Sequence, residues 1–222
     1  MAPDGSIRLD PATYDAWYRT ARGRWIGETE YRLLYRALAP RPAETILDAG
    51  CGTGYFSRHF VQDGHPVLGI DLDPAAANFA RRSRSPALAV AVADMTALPF
   101  PDRSFDCVVA VTSLCFVADE AKAIQEIVRV ARRRFALGLL NRDSLLYRTK
   151  SRAVGSYAGA RWHRASSLAA LMSGLPVRDL RVATAIFVPG GGPCAQRLES
   201  LVPAGLPWGG FIAVTGSVSH DE

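Results

Sequence analysis

Leu47-Asp48-Ala49-Gly50-Cys51-Gly52-Thr53-Gly54 is the stretch on which the reading of this chain turns. Thr45-Ile46-Leu47-Asp48 reads as a short buried strand, and Tyr55 to Gln62 as a helix. The glycines therefore stand where a strand ends and a helix begins. Glycine lets a backbone turn sharply and come close to a ligand. In open α/β sheets, ligands bind at this carboxyl edge of the strands. The spacing is G-x-G-x-G, whereas a dinucleotide fingerprint needs G-x-G-x-x-G. Counting from Gly50, Tyr55 occupies the place of the third glycine. Asp48 precedes the loop, where a pyrophosphate would meet a like charge. The loop suits a ligand that carries cationic groups.

The same rhythm continues downstream. Pro66 to Asp71 reads as a second strand, and Asp73-Pro74 opens a helix, with Asp as cap and Pro in the first turn. Leu88 to Val92 is a third strand. Phe105 to Val111 is a fourth, apolar throughout most of its length, as a strand covered on both faces should be. Ala118 to Val130 reads as a helix with Ala123, Ile124, Ile127 and Val128 on its core stripe, and Phe135 to Leu140 as a fifth strand. Alternating strands and helices predict an α/β fold with a doubly wound, mostly parallel sheet.

Upstream, Asp10-Pro11 begins a helix bearing Tyr14, Trp17 and Tyr18; Gly23 interrupts the pattern, and Glu28 to Leu38 forms a second helix. The last third is less regular. A short helix is expected near Ala165 to Met172 and strands at Val182 to Val188 and Phe211 to Thr215, with Gly190-Gly191-Gly192 as a flexible loop.

Composition narrows the function. The chain has 222 residues, 49% hydrophobic and 21% charged, as expected of a globular domain. No apolar run approaches the roughly 20 residues that cross a bilayer, and the first residues lack a secretory pattern; a cytoplasmic location and no membrane partner are expected. The four cysteines, at 51, 107, 115 and 194, lack metal-ligand spacing, so no metal is expected. Net charge is +5, and only Lys122 and Lys150 among the 26 basic residues are lysine. The clusters Arg81-Arg82-Ser83-Arg84 and Arg132-Arg133-Arg134 fall at predicted helix ends, where cations complement the helix dipole without needing a polyanion.

Two further acids complete the pattern. Asp71 ends the second strand, where a carboxylate can accept both hydroxyls of a ribose. Asp94, in Ala93-Asp94-Met95, ends the third, where it can accept from an adenine amino group while the next backbone N–H donates to a ring nitrogen. Asp48, Asp71 and Asp94 thus lie at three successive strand ends.

These residues carry a resemblance. Ile46 to Gly54 resembles the first motif of the class I S-adenosylmethionine-dependent methyltransferases, and Gly69-Ile70-Asp71-Leu72-Asp73-Pro74 their second. Ala93 to Asp106 is similar to the segment joining strands three and four in the ubiquinone/menaquinone-biosynthesis-like branch (methyltransferase type 11). One departure is Arg132-Arg133-Arg134, where many relatives have a Pro-Gly-Gly turn before strand five.

The resemblance implies a Rossmann-like, seven-stranded sheet with an N-terminal helical lid. It divides a single domain, 1–222, into a lid (1–42), a cofactor core (43–142) and a substrate-side part (143–222). It implies S-adenosylmethionine as cofactor and S-adenosylhomocysteine as product. Asp48, Gly50, Cys51 and Gly52 would line the methionine end. Asp71 would hold the ribose, Leu72 would pack on the adenine, and Asp94 and Met95 would bind its edge. Thr112 and Ser113 would sit by the methionine moiety, and Tyr14 would cover the cofactor. The acceptor is expected to be a small, largely apolar molecule, because Leu114-Cys115-Phe116-Val117 follows strand four.

No catalytic base is named. His163 is the candidate, weighed against a structural role. Three other functions fit the sequence less well. A nicotinamide-dependent oxidoreductase is disfavoured by Tyr55 and Asp48. A nucleic-acid methyltransferase is disfavoured because Val111-Thr112-Ser113-Leu114 replaces an Asn-Pro-Pro-Tyr-like tetrad and Cys194 lies far from strand four. A binding module without turnover is disfavoured by the complete set of cofactor residues. Oligomeric state is not legible.

Overall fold

A computed structural model describes residues 10–151 and 157–219. Its centre is a seven-stranded sheet: β1 (Ile46–Ala49), β2 (Val67–Asp71), β3 (Leu88–Val92), β4 (Phe105–Val111), β5 (Ala131–Leu140), β6 (Val177–Ala185) and β7 (Phe211–Val218). The spatial order is β3-β2-β1-β4-β5-β7-β6. The first five strands are parallel, and β7 runs antiparallel to both β5 and β6. The doubly wound, mostly parallel sheet is as expected. The strand order reverses beside β1, so the crevice above the glycine loop lies at the switch point where such sheets take ligands.

Helices cover both faces: α1 (Pro11–Trp17), α2 (Ala21–Leu38), α3 (Tyr55–Gln62), α4 (Pro74–Ala80), α5 (Glu120–Val130), α6 (Leu145–Lys150), α7 (Leu168–Leu171) and α8 (Pro193–Leu201). Strand alternation splits the core in two. Leu47, Val108, Leu137 and Ile212 pack with Ile124 and Ile127 of α5. Ile46, Val109, Ala136 and Phe211 pack with Leu34 and Leu38 of α2 and with Phe56 and Phe60 of α3. Asp48 sits between Leu47 and Ala49 on β1, so its side chain emerges on the α3 face. No described helix is long and apolar enough to cross a membrane.

Several boundaries differ from expectation. Helix α2 begins at Ala21 and runs through Gly23. Thr20 caps it by accepting from the Gly23 N–H at 3.0 Å. A Cβ on Gly23 would lie 2.0 Å from the Trp17 carbonyl oxygen. The glycine is there for the close approach of α1, and it does not end a helix.

Strand β5 starts at Ala131, directly after α5, so Arg132-Arg133-Arg134 lies in a strand and not at a helix end. Its guanidinium groups are engaged by acids: Arg132 with Asp106 at 3.0 Å, Arg133 with Glu44 and Asp106 at 3.7 and 3.6 Å, and Arg134 with Glu44 at 2.5 Å. The cluster ties β5 to β4 and to the residues before β1.

Strand β6 lies earlier than the expected Val182 to Val188. The chain leaves the sheet at Ile186, which has a positive φ of 66°. There Glu199 accepts from the backbone N–H groups of Ile186 and Phe187 at 2.6 and 2.9 Å. The glycine run leads into an unanticipated helix, α8, with Pro193 in its first turn. Arg22 of α2 donates to the Pro189 carbonyl at 2.8 Å beside it.

Candidate functional site

The glycine loop closes over the end of β2. The N–H groups of Gly50 and Cys51 both donate to the Ile70 carbonyl, at 2.7 and 2.8 Å. Gly50, Gly52 and Gly54 all have positive φ, which glycine adopts without the steric penalty of a side chain. A Cβ on Gly50 would collide with Ser113 Cβ at 2.4 Å and Met95 Cε at 2.6 Å. A Cβ on Gly52 would meet nothing within 4 Å. The loop is thus packed tightly underneath at Gly50 and open at Gly52.

Asp48 is 2% exposed, and its carboxylate accepts from the Ser57 hydroxyl at 2.5 Å. No cation among the described residues pairs with it. Burial, with the Asp71 charge adding to it, pushes the Asp48 carboxyl up to about 6, against the Ser57 hydrogen bond. Asp71 is occupied partly by the loop: it accepts from Gly52 N–H and from Asp73 N–H, each at 2.8 Å.

Strand order places Asp94, Asp71, Asp48 and Thr112 successively along one edge. The Ala93 N–H donates to the Asp71 carbonyl at 3.1 Å, which joins the ends of β2 and β3. Asp94 is exposed and accepts from the Thr96 N–H and hydroxyl, each at 2.8 Å. The Met95 side chain is buried and lies against Gly50. Leu72 projects from the end of β2 with 62% exposure. Cys51 turns its thiol towards Gly69 and away from the crevice. Burial and the neighbouring Asp48 and Asp71 charges raise that thiol far above its ordinary value.

Beyond β4, Thr112 has φ +52°, the left-handed region that costs a non-glycine residue about 1–2 kcal/mol. Two contacts hold it: its N–H donates to the Gly138 carbonyl at 2.8 Å, and the Cys115 thiol donates to its carbonyl at 3.1 Å. Ser113 donates to the Ala49 carbonyl at 2.9 Å, fastening this segment to the end of β1.

Helix α1 lies across the assembly. The Tyr14 and Tyr18 hydroxyls are 3.5 Å apart, and the Tyr18 ring stacks on Tyr55 at 3.7 Å. Tyr55 therefore fills the position that a dinucleotide loop leaves open. Tyr14 feels the charges of Glu30, Cys115 and Asp71, and burial raises its phenol. Arg58 of α3 holds α1 down, donating to Asp15 at 2.6 Å and to the Thr53 carbonyl at 2.7 Å.

The sequence reading missed Ser57 and Arg58. Ser57 and Arg58 follow the loop on α3, so their spacing from Asp48 was available as a signal. His163 lies elsewhere, buried against the first residue of α5, with Nε2 2.6 Å from Glu120 Oε1; Arg161 reaches the same carboxylate at 3.2 Å.

Comparison with known proteins gives this geometry a context. Residues 47–135 match the methyltransferase-domain family Methyltransf_11. The chain is 30% identical over 175 residues to the malonyl-[acyl-carrier protein] O-methyltransferase of Serratia marcescens, covering 79% of this chain and 63% of that protein. It is 38% identical over 96 residues to the demethylmenaquinone methyltransferase of Beutenbergia cavernae, covering 43% and 40%. The chain thus spans less than two thirds of these relatives' lengths. Among solved structures, a SAM-dependent methyltransferase of Thermotoga maritima superposes with a TM-score of 0.76 at 23% identity, covering 94% of this chain and 96% of the other. The magnesium protoporphyrin IX methyltransferase of Synechocystis, solved with bound S-adenosylhomocysteine, superposes with a TM-score of 0.63 at 16% identity, covering 95% and 96%.

Proposed function

We propose that the chain is a class I S-adenosylmethionine-dependent methyltransferase that transfers the methyl group of S-adenosylmethionine to a small-molecule acceptor. The observation that carries this is Asp48: a buried carboxylate, beside a second one, with no cation of the described chain to balance it. A protein rarely keeps such a group unless something bound supplies the opposite charge. The methionine end of the donor carries an ammonium and a sulfonium, which fit.

When bound, the cofactor supplies a methyl group made electrophilic by its sulfonium. The chain's own work is to hold and orient. Asp48 attracts the cationic end. The open face of Gly52 lets the donor approach the loop backbone. Asp71 would hold the ribose hydroxyls, while its bonds from Gly52 and Asp73 fix the loop. Leu72 offers an apolar face to the adenine. Asp94 and the Met95 N–H address the adenine edge. Thr112 and Ser113 would sit by the methionine moiety, Cys51 would line its end, and Tyr14 would cover the cofactor. Alignment of acceptor and methyl in one line is the principal gain; good orientation supplies up to roughly 7–11 kcal/mol in ideal cases.

The small-molecule class is supported by relatives named for demethylmenaquinone and a malonyl carrier thioester. A cytoplasmic setting is part of the same proposal and accords with Cys51, Cys107 and Cys115 being buried free thiols. Calorimetric titration with S-adenosylhomocysteine tests the reading. Saturable heat that falls at least about tenfold in affinity in Asp48→Asn is expected, the scale of a hydrogen-bonded charge. Absence of binding by the unaltered chain sinks it.

A further inference from the structure

A cavity of about 420 Å³ lies between the lid helix α1, helix α3 and the end of α4, where the 3-10 turn Arg81–Ser83 follows. None of the strand-end acids or loop glycines lines it. Its size is within the range of small-molecule sites, about 300–1,000 Å³. Two contacts assemble it. Arg58 of α3 reaches Asp15 of α1 at 2.6 Å. A Cβ on Gly54 would stand 3.0 Å from Ala80 Cβ and 3.4 Å from the Arg58 guanidinium. The start of α3 therefore packs directly on the end of α4, with Arg58 at the seam.

The lining is unbalanced in charge. Arg19, Arg58 and Arg82 bring three guanidiniums, and Asp15 is the one carboxylate. Asp15 is shared, accepting from Arg19 at 3.3 Å and from Arg58 at 2.6 Å. Arg82 makes no hydrogen bond or ion pair among the described residues, and its guanidinium lies 5.4 Å from the centroid of the Phe79 ring. Its neighbour Arg81 is engaged inside the fold, with the Val90 carbonyl at 3.0 Å and Asn78 at 2.8 Å. Burial holds the His59 imidazole below its ordinary value, against the opposing charge of Glu28, so this ring adds no charge at neutral pH. The Gln62 amide and the Ser83 hydroxyl are further donors in the wall, and neither is bonded among the described residues. Tyr18, Tyr55 and Phe79 supply the apolar part.

Complementing the α4 dipole accounts for a cation at Arg82. It does not account for the convergence of Arg82 with Arg19 and Arg58, from two other helices, around one cavity. The planar fork of a guanidinium matches a phosphate, and an excess of guanidiniums over carboxylates is balanced by a dianion. A nucleic acid is held by basic residues spread along a stripe. Here the cations ring a concave, partly aromatic space, which fits a small molecule.

We infer that this groove is a binding site for a small phosphate monoester with an aromatic or apolar body. Arg19, Arg58 and Arg82 neutralise the phosphate, and the body packs on Phe79, Tyr18 and Tyr55. The site is separate from the donor crevice and does not rest on the methyltransferase reading.

The test titrates the full chain, free and saturated with S-adenosylhomocysteine, by calorimetry. The probes are phenyl phosphate, inorganic phosphate, phenol and a short single-stranded RNA. One-to-one binding of phenyl phosphate is expected, equal within about twofold in the two forms. Inorganic phosphate should bind at least about tenfold more weakly, because it leaves the aromatic wall uncovered. Phenol, which lacks the charge, should give no saturable heat. Arg82→Gln removes a guanidinium that no acid of the described chain holds, so the melting temperature and S-adenosylhomocysteine affinity should stay unchanged. Phenyl phosphate should weaken about tenfold or more in that variant, the scale of a hydrogen bond to a charged group. Phenyl phosphate binding that is absent, that keeps full strength in Arg82→Gln, or that S-adenosylhomocysteine displaces overturns the proposal. So does phenol binding as tightly as phenyl phosphate. RNA that binds more tightly than phenyl phosphate and loses affinity in Arg82→Gln marks a nucleic-acid surface and overturns it too. If S-adenosylhomocysteine does not bind, the methyltransferase reading fails, while titration of the free chain still decides the groove.

Discussion

Ser57 donates to Asp48 at 2.5 Å, joining the first helix after the glycine loop to the strand before it. The bond satisfies one oxygen of a buried carboxylate and leaves its charge unbalanced. Ligand affinity and protein stability should therefore respond to Asp48 in opposite directions.

Donor affinity should rise with pH. The Asp48 carboxyl titrates near 6 in the free protein, so below that pH it is neutral and attracts no cation. S-adenosylhomocysteine, whose ammonium persists, should bind more tightly as pH goes from about 5 to 7, with proton release near pH 6. Calorimetry in two buffers of different ionisation heat measures that release, and a flat profile contradicts it.

Stability of the free protein should show the reverse sign. A folded-state value raised above the unfolded one gives stability that is fully present below the unfolded value, near 3.9. That stability is lost as pH rises through about 6. At pH 7, Asp48→Asn should accordingly stabilise the free chain by roughly 1–3 kcal/mol. Urea unfolding without ligand is the check; lower stability than the unaltered chain contradicts it.

Gly50→Ala and Gly52→Ala should separate packing from access. Both need positive φ and lose about 1–2 kcal/mol on that ground. Gly50→Ala also drives a methyl into Ser113 and Met95, so it should destabilise more in urea. Gly52→Ala meets no protein atom within 4 Å. Its larger loss should be in S-adenosylhomocysteine affinity.

The lid should loosen when its tether is cut. Arg58→Met removes the bonds to Asp15 and Thr53. Faster S-adenosylhomocysteine release is expected by stopped-flow. Asp15→Asn should act in the same direction, and the double variant should fall short of the sum, as coupled residues do.

His163→Ala should lower stability by roughly 1–3 kcal/mol, the cost of removing a buried polar partner, with Arg161 still reaching Glu120. The pair is deeply placed, with side-chain exposures of 5% for His163 and 8% for Glu120. S-adenosylhomocysteine affinity should stay within about twofold, because the pair lies away from the strand-end acids.

The elements that were legible are those whose pattern is local. β3, β4 and α3 fall on the residues expected from their periodicity. So do Asp48 and Asp71 at adjoining strand ends. The failures come from contacts distant in sequence. Gly23 resembles a helix breaker until the Trp17 carbonyl is found against it. Arg132 to Arg134 resembles a helix end until Glu44 and Asp106 are seen to pull it into the sheet. β6 is an edge strand with exposed Arg178, Asp179 and Leu180, so it shows little alternation.

The position of β7 has a consequence for biosynthesis. The last strand in sequence is wedged between β5 and β6, which do not touch each other. While a ribosome extends the chain, β6 has no partner until residues 211–218 emerge. A nascent chain stalled before Phe211 holds β1 to β4 but leaves the edges of β5 and β6 open to pairing with other chains, which makes the interval before residues 211–218 emerge one in which chaperone protection matters.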